Sequence, residues 1–294
     1  MSDIAEPLRS FLFVPANQPK RIPKALASGA DAVILDLEDT VPAPEKPAAR
    51  KEALAALSLP REAKLYIRVN PAETAHCYDD LVAVTAAGLD GIVLPKVDLP
   101  KDATAVDWVL SQLERRHGIR PGSIDLVPIV ESATGLAHLD EIARSTERIR
   151  RLTFGAADLS RDLGMILTPD EVAIADARAR LTLASRAAGR EPPIDTVYID
   201  VRNLEGLAKV AQHARVLGYQ GKLCIHPDQV AVVNAAFTPS AEEVTRAERI
   251  LAAFEKAEAQ GIASIEVDGG FVDYPIVAQA QRTLALAKRS KPGG

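Results

Sequence analysis

Cysteine is nearly absent: the 294 residues contain only Cys77 and Cys224, with no CxxC pair and no Cys/His cluster at zinc spacing. Isolated thiols of this kind are usually core or surface residues, so neither a disulfide framework nor a zinc site is expected. Aromatic residues make up 4% of the chain, and 35 Lys+Arg face 40 Asp+Glu. Without stacking platforms or a basic footprint, nucleic acid is not an expected partner. Long apolar runs are missing as well. The longest stretch free of charge is the 13 residues from Gln229 to Ala241, whereas a membrane span needs about 20 mostly apolar residues. Asp3 and Glu6 stand where a secretory signal would be positive, so a cytoplasmic protein is expected. No GxSxG, P-loop, HExxH or Rossmann glycine pattern occurs, which argues against serine hydrolase, NTPase, zincin and dinucleotide chemistry.

What is present is an ordinary globular composition, 47% hydrophobic and 26% charged, in a chain long enough to need no metal or disulfide merely to fold. Eight short apolar runs recur along it: Phe11 to Val14, Ala32 to Asp36, Leu65 to Val69, Gly91 to Leu94, Asp125 to Val130, Leu152 to Phe154, Thr196 to Ile199 and Gly221 to Ile225. Their spacing approximates the ~30 residues of a βαβ unit, and runs apolar on both faces suit buried parallel strands. Helix signals lie between them. Thr168, Pro169, Asp170 and Glu171 read as the start of a helix closed by Gly189, Asn203 opens another, and Ser240 with Glu243 forms a capping box. The pattern predicts an α/β fold, a (β/α)8 TIM barrel over 1–235, with an open doubly wound sheet as the alternative. Residues 236–294 are surplus to a barrel: a helix from Ser240, a strand at Ser264 to Val267, a turn at Asp268, Gly269 and Gly270, and a last helix from Pro275.

Active sites of such barrels sit at the C-terminal strand ends. There the sequence places Asn17 and Lys20; Asp36, Glu38 and Asp39; Arg68 and Asn70; Lys96; Glu131; Asp158; Asp200; and His226. Glu131 and Asp158, following successive strands, would suit Mg2+, which takes oxygen ligands and keeps waters; equally, an acid at either position would favour or cap a helix N-terminus. Arg68 fits a bidentate grip on a substrate carboxylate or an ion pair with Asp36, Glu38 or Asp39. His226 fits proton transfer or a structural hydrogen bond.

Nine segments in order resemble the family of the citrate lyase β subunit, malyl-CoA lyase and citramalyl-CoA lyase. They are RSFLFVP from Arg9, SGADAVILDLEDTVP from Ser28, RVN from Arg68, DGIVLPKV from Asp90, IVESATG from Ile129, FGAADL from Phe154, IDTVYIDVRNLEGL from Ile194, GYQGKLCIHPDQVAVVNAAFTPS from Gly218 and VDGGFVDYP from Val267. The resemblance implies a barrel assembled as a homotrimer or homohexamer, acting on a small acyl-CoA or 2-oxo acid with Mg2+, or Mn2+ in its place. It assigns Glu131 and Asp158 to the metal and Arg68 to the 2-oxo acid. Asp273 is assigned to a C-terminal helical lid reaching a neighbouring subunit, as a catalytic acid. With Arg68, Asn17, Lys20, Glu38 and Lys96 form the expected substrate-binding set.

The implied reaction is reversible cleavage of a 3-hydroxyacyl-CoA of malyl, citramalyl or citryl type into a 2-oxo acid and acetyl-CoA or a homologue. The chain departs from the family where PGNRP becomes Pro15, Ala16, Asn17, Gln18, Pro19, and where DGKM becomes Asp268, Gly269, Gly270, Phe271. Both changes remove cations that could face CoA phosphates, although Lys20, Arg21 and Lys24 remain. Ala157 replaces a common glutamate. Competing expectations are a class II aldolase acting on a free hydroxy-oxo acid, a thioesterase or condensing enzyme with the same site, and a non-catalytic subunit of a carrier-protein complex.

Overall fold

The computed structural model describes residues 7–289. Residues Leu8–Ala235 form one compact unit, and the chain from Ala236 onward belongs, with Pro7, to a second. In the first, eight parallel strands close on themselves: β1 (Ser10–Pro15), β2 (Ala32–Asp36), β3 (Lys64–Arg68), β4 (Gly91–Leu94), β5 (Asp125–Val130), β6 (Thr153–Phe154), β7 (Ile194–Asp195) and β8 (Gly221–Cys224). The pairing of Phe11 with Leu223 joins β1 to β8, so the barrel is closed and the open sheet is excluded. Alternation explains why the runs are apolar throughout. Phe11, Ile34, Tyr66, Val93, Val127 and Leu223 fill the interior, while Leu12, Leu35, Ile67, Ile92 and Leu126, also buried, face the helices. Glycine is required at Gly91, where a Cβ would come within 2.3 Å of the Tyr66 ring. Tyr66 donates to Asp125 Oδ2 at 3.0 Å and accepts from Arg151 at 3.0 Å, a buried polar plug at the start of the strands. Both cysteines are buried, which pushes their thiols up to about 12. Among the described residues no helix is long and apolar enough to cross a membrane.

Two expectations need correction. The seventh strand is Ile194–Asp195, not Thr196 to Ile199. Thr196 leaves the ladder to accept the Ala156 amide on its hydroxyl at 3.0 Å, and the Tyr198 carbonyl accepts from Gln229 at 2.9 Å. The helix expected from Thr168 starts only at Ala175 and runs to Ala187. Glu171 adopts φ 54 and turns its carboxylate inward to Arg178, a buried ion pair across seven residues that overrides the local capping signal. The other helix starts hold: Asn203 accepts from the Gly206 amide at 2.8 Å, and Ser240 and Glu243 cap each other's amides.

In the second unit, β9 (Ile265–Val267) pairs antiparallel with β10 (Gly270–Val272). The connecting residues Asp268 and Gly269 both have positive φ, 52 and 76, as a two-residue type I′ turn demands; Gly270, expected in the turn, is the first residue of β10. The helices Ala241–Glu258 and Tyr274–Arg289 pack through Ala247, Ile250, Phe254, Val272 and Ala280.

Candidate active site

At the C-terminal end of β2, Asp36 is fully buried and does two jobs. Its Oδ1 accepts the Glu38 amide at 2.9 Å and its Oδ2 the Thr40 hydroxyl at 2.6 Å, folding the loop that follows. The same two oxygens take Nε and Nη2 of Arg68, from the end of β3, both at 2.7 Å. Burial alone would raise the Asp36 carboxyl, but the Arg68 and Thr40 hydrogen bonds outweigh it and hold it below the usual range. The Arg68 guanidinium lies over the Phe13 ring, 4.9 Å from its centroid. Two of its five N–H donors are thereby fixed, and the Nη1 edge is left toward Glu38.

Glu38 is buried, and burial raises its carboxyl against the attraction of Arg68 and Lys96. Its Oε1 accepts from Lys96 Nζ at 2.6 Å. Its Oε2 lies 2.9 Å from Arg68 Nη1 but off the N–H direction, leaving that oxygen without a hydrogen bond. Lys96 follows β4 with φ 51, a conformation uncommon outside glycine that clusters at functional sites. It aims the Lys96 amide at Glu131 Oε1, 2.8 Å away. The other Glu131 oxygen rests against Gly155, where a Cβ would come within 2.1 Å of it. Burial first, then the charge of Glu38, pushes the Glu131 carboxyl up to about 8, with Asp158 adding to the rise. Asp158 lies in the first turn of the helix Ala156–Leu163 and pairs at 2.8 Å with the exposed Arg161.

These contacts bring Glu38, Arg68, Lys96, Glu131 and Asp158 into one electrostatic neighbourhood. Other expected residues make other contacts. Asn17 donates to Glu45 at 2.6 Å, and Lys20 is exposed and joins none of these ion pairs. His226 makes a local turn with Asp228, accepting its amide at 3.2 Å, in keeping with the structural reading. Asp273 lies in the C-terminal unit at the start of Tyr274–Arg289, with its carbonyl accepting the Val277 amide at 2.9 Å. Lys46 was not anticipated: buried, it donates to the Leu37 and Glu38 carbonyls at 2.7 and 2.9 Å and so fixes the loop that carries Glu38. In sequence it looks like any lysine at a helix start.

The donor set fits a hard divalent cation. Only carboxylate oxygens are offered, and the raised Glu131 carboxyl sits in a surplus of negative charge that a cation would relieve. Among the described residues no three Asp, Glu, His or Cys side chains form a cage, so such an ion would keep positions open for water and substrate.

The sequence profile of the HpcH/HpaI aldolase/citrate lyase family matches residues 9–227. The chain belongs to this family. It is a family of carbon–carbon lyases, and we assign the chain to that enzyme class. Among relatives of this family member, citrate lyase subunit beta of Escherichia coli K12 is 34% identical over 284 residues, covering 96% of this chain and 94% of its own. An L-malyl-CoA/beta-methylmalyl-CoA lyase of Cereibacter sphaeroides is 36% identical over 306 residues, with 97% and 96% covered. The CitE protein of Mycobacterium tuberculosis, solved with magnesium, acetoacetate and coenzyme A, superposes with a TM-score of 0.79 at 32% identity, covering 96% of this chain and 98% of that one.

Proposed function

We propose that this family member is a Mg2+-dependent lyase that cleaves a 3-hydroxyacyl-CoA reversibly into a 2-oxo acid and an acyl-CoA. The observation that carries the reading is the cluster of buried carboxylates at the strand ends, with Glu131 pushed up to about 8 and Arg68 anchored on Asp36 through Nε and Nη2. Glu131 and Asp158 would hold the cation, which supplies Lewis-acid stabilisation of charge developing on the substrate's oxygens. Arg68, anchored by Asp36, presents its Nη1 edge to the carboxylate of the 2-oxo acid half, displacing Glu38. Lys96 fixes Glu131 through its amide and balances Glu38 through its ammonium. In the forward direction the hydroxyl gives its proton to solvent and becomes the carbonyl of the oxo acid as the C–C bond breaks. Its electron pair passes to the thioester's α-carbon, which takes up a proton. Asp273 of a neighbouring copy in a trimer or hexamer is the donor we assign to that proton.

The relatives named for citrate and malyl-CoA cleavage support the class, as does coenzyme A with magnesium in the similar CitE protein. The test is incubation with malyl-, citramalyl- and citryl-type thioesters in Mg2+, following 2-oxo acid release with and without EDTA. Release that EDTA abolishes is the expected result. Turnover of a free hydroxy-oxo acid in place of every thioester would favour the aldolase reading, which the neutral residues Ala16, Gln18 and Gly270 also suit. Release of free CoA without an oxo acid would mark a thioesterase.

A further inference from the structure

The two residues preceding Asp158 in its helical turn, Ala156 and Ala157, form one wall of a cleft of about 120 Å3 that the reaction as derived leaves unused. Leu167, Pro169, Val197 and Ile199 supply other walls. Its polar lining is already engaged. Glu171 is paired with Arg178, and the Thr168 hydroxyl bonds Asp170. The Tyr198 hydroxyl accepts from Asn203 at 3.1 Å, and Asp200 accepts the Arg202 amide at 3.2 Å. No Lys or Arg lines the space, and its two charged members, Glu171 and Asp200, are both acids.

We propose that this cleft receives the side chain R of the 2-oxo acid R–CO–COO−, and that it selects an alkyl group of about two to four carbons against hydrogen and against a carboxylate-bearing group. The inference rests on the lyase reading above, in which the oxo acid lies between Arg68 and the Glu131–Asp158 pair, so that its side chain is the part next to Ala157. The volume is close to that of a roughly 150 Å3 apolar cavity that admits benzene. A second carboxylate would face two acids and no cation, and would forfeit most of its hydration uncompensated.

The test uses the full chain saturated with Mg2+. Binding of glyoxylate, 2-oxobutyrate, 2-oxopentanoate and oxaloacetate is measured by calorimetry, and cleavage of the four matching thioesters by kcat/KM. The alkyl acids should bind at least about tenfold more tightly than glyoxylate or oxaloacetate, the range expected for one or more methylenes in an apolar pocket. Ala157→Leu, which fills the cleft, should erase most of that ratio. Ile199→Ser, on an exposed loop, should lower it several-fold and serves if the first variant does not fold. Oxaloacetate or glyoxylate binding as tightly as the alkyl acids, or a ratio untouched by both variants, overturns the proposal. If the binding ranking holds while no thioester is cleaved, the lyase reading falls and the cleft stands. If thioesters are cleaved without the ranking, the reverse is true.

Discussion

Two buried charge clusters in the barrel unit differ in balance. Beneath the helix Ala175–Ala187, Asp195 of β7 accepts Nε and Nη2 of Arg178 at 2.9 and 3.0 Å and Lys222 Nζ of β8 at 2.5 Å, while Glu171 completes the set from the other side of Arg178. Two acids meet two bases. Burial would raise the Asp195 carboxyl, but Lys222 and Arg178 hold it below its ordinary range. At the strand ends, Asp36, Glu38 and Glu131 are buried; Arg68 and Lys96 pair with the first two, Lys46 adds a charge nearby while bonded to backbone carbonyls, and two of the three carboxyls are raised. A closed network needs nothing more, whereas the open one leaves Glu131 facing the charges of Glu38 and Asp158, which a cation would neutralise. The first holds strands and helix together; the second is the one we propose for ligands.

Substitutions should separate the two. The largest effect is expected for Asp158→Ala, which removes one of the two proposed cation ligands on a partly exposed helical turn. Mg2+-dependent release of 2-oxo acid should fall by at least about a thousandfold, with the melting temperature of the metal-free protein little changed. Full activity would remove Asp158 from the metal. Next is Arg68→Lys, which keeps the charge but not the planar fork shared between Asp36 and substrate. A loss of about 10² to 10³ in kcat/KM is expected. A variant with only a weakened KM would mean that Arg68 binds the acid without stabilising its transition state.

The barrel was legible because burial on both faces makes its strands continuous apolar runs, and seven of the eight runs lie within a residue of the observed strands at each end. The exception at Thr196 has a physical cause. Its hydroxyl is committed to Ala156, and the apolar residues after it pack in a loop, a use of Val197 and Tyr198 that local pattern cannot distinguish from a strand. The helix start at Thr168 gave the opposite error: the residue types of a cap are there, but Glu171, paired with Arg178 seven residues on, takes a left-handed conformation and the helix begins later. At the strand ends the residue types were legible and their couplings were not. Arg68 was left between substrate grip and ion pair. The structure shows the Asp36 pair, with the Nη1 edge set 2.9 Å from Glu38. The turn of Lys96 that aims its amide at Glu131, and the need for Gly155 beside that carboxylate, follow from packing between strands far apart in sequence.

The closed cluster should answer in stability, not rate. Lys222→Met leaves Asp195 with one base in place of two at a fully buried position, and removing one partner of a buried pair costs about 3–5 kcal/mol. Denaturant unfolding should register that loss while kcat of the folded fraction stays as it was. A changed kcat would mean that the two clusters are coupled.

The smallest effect is its pH dependence. Because the folded-state pKa of Asp195 lies below its ordinary value of about 3.9, its ionised form favours the folded state. That contribution is fully present above about pH 4 and is lost as pH falls through the folded value. Asp195→Asn removes it at every pH. The stability gap between wild type and this variant should therefore be constant from pH 8 to 5 and shrink below pH 4. A gap that shrank already between pH 7 and 5 would mean that Asp195 is not the acid that sets it.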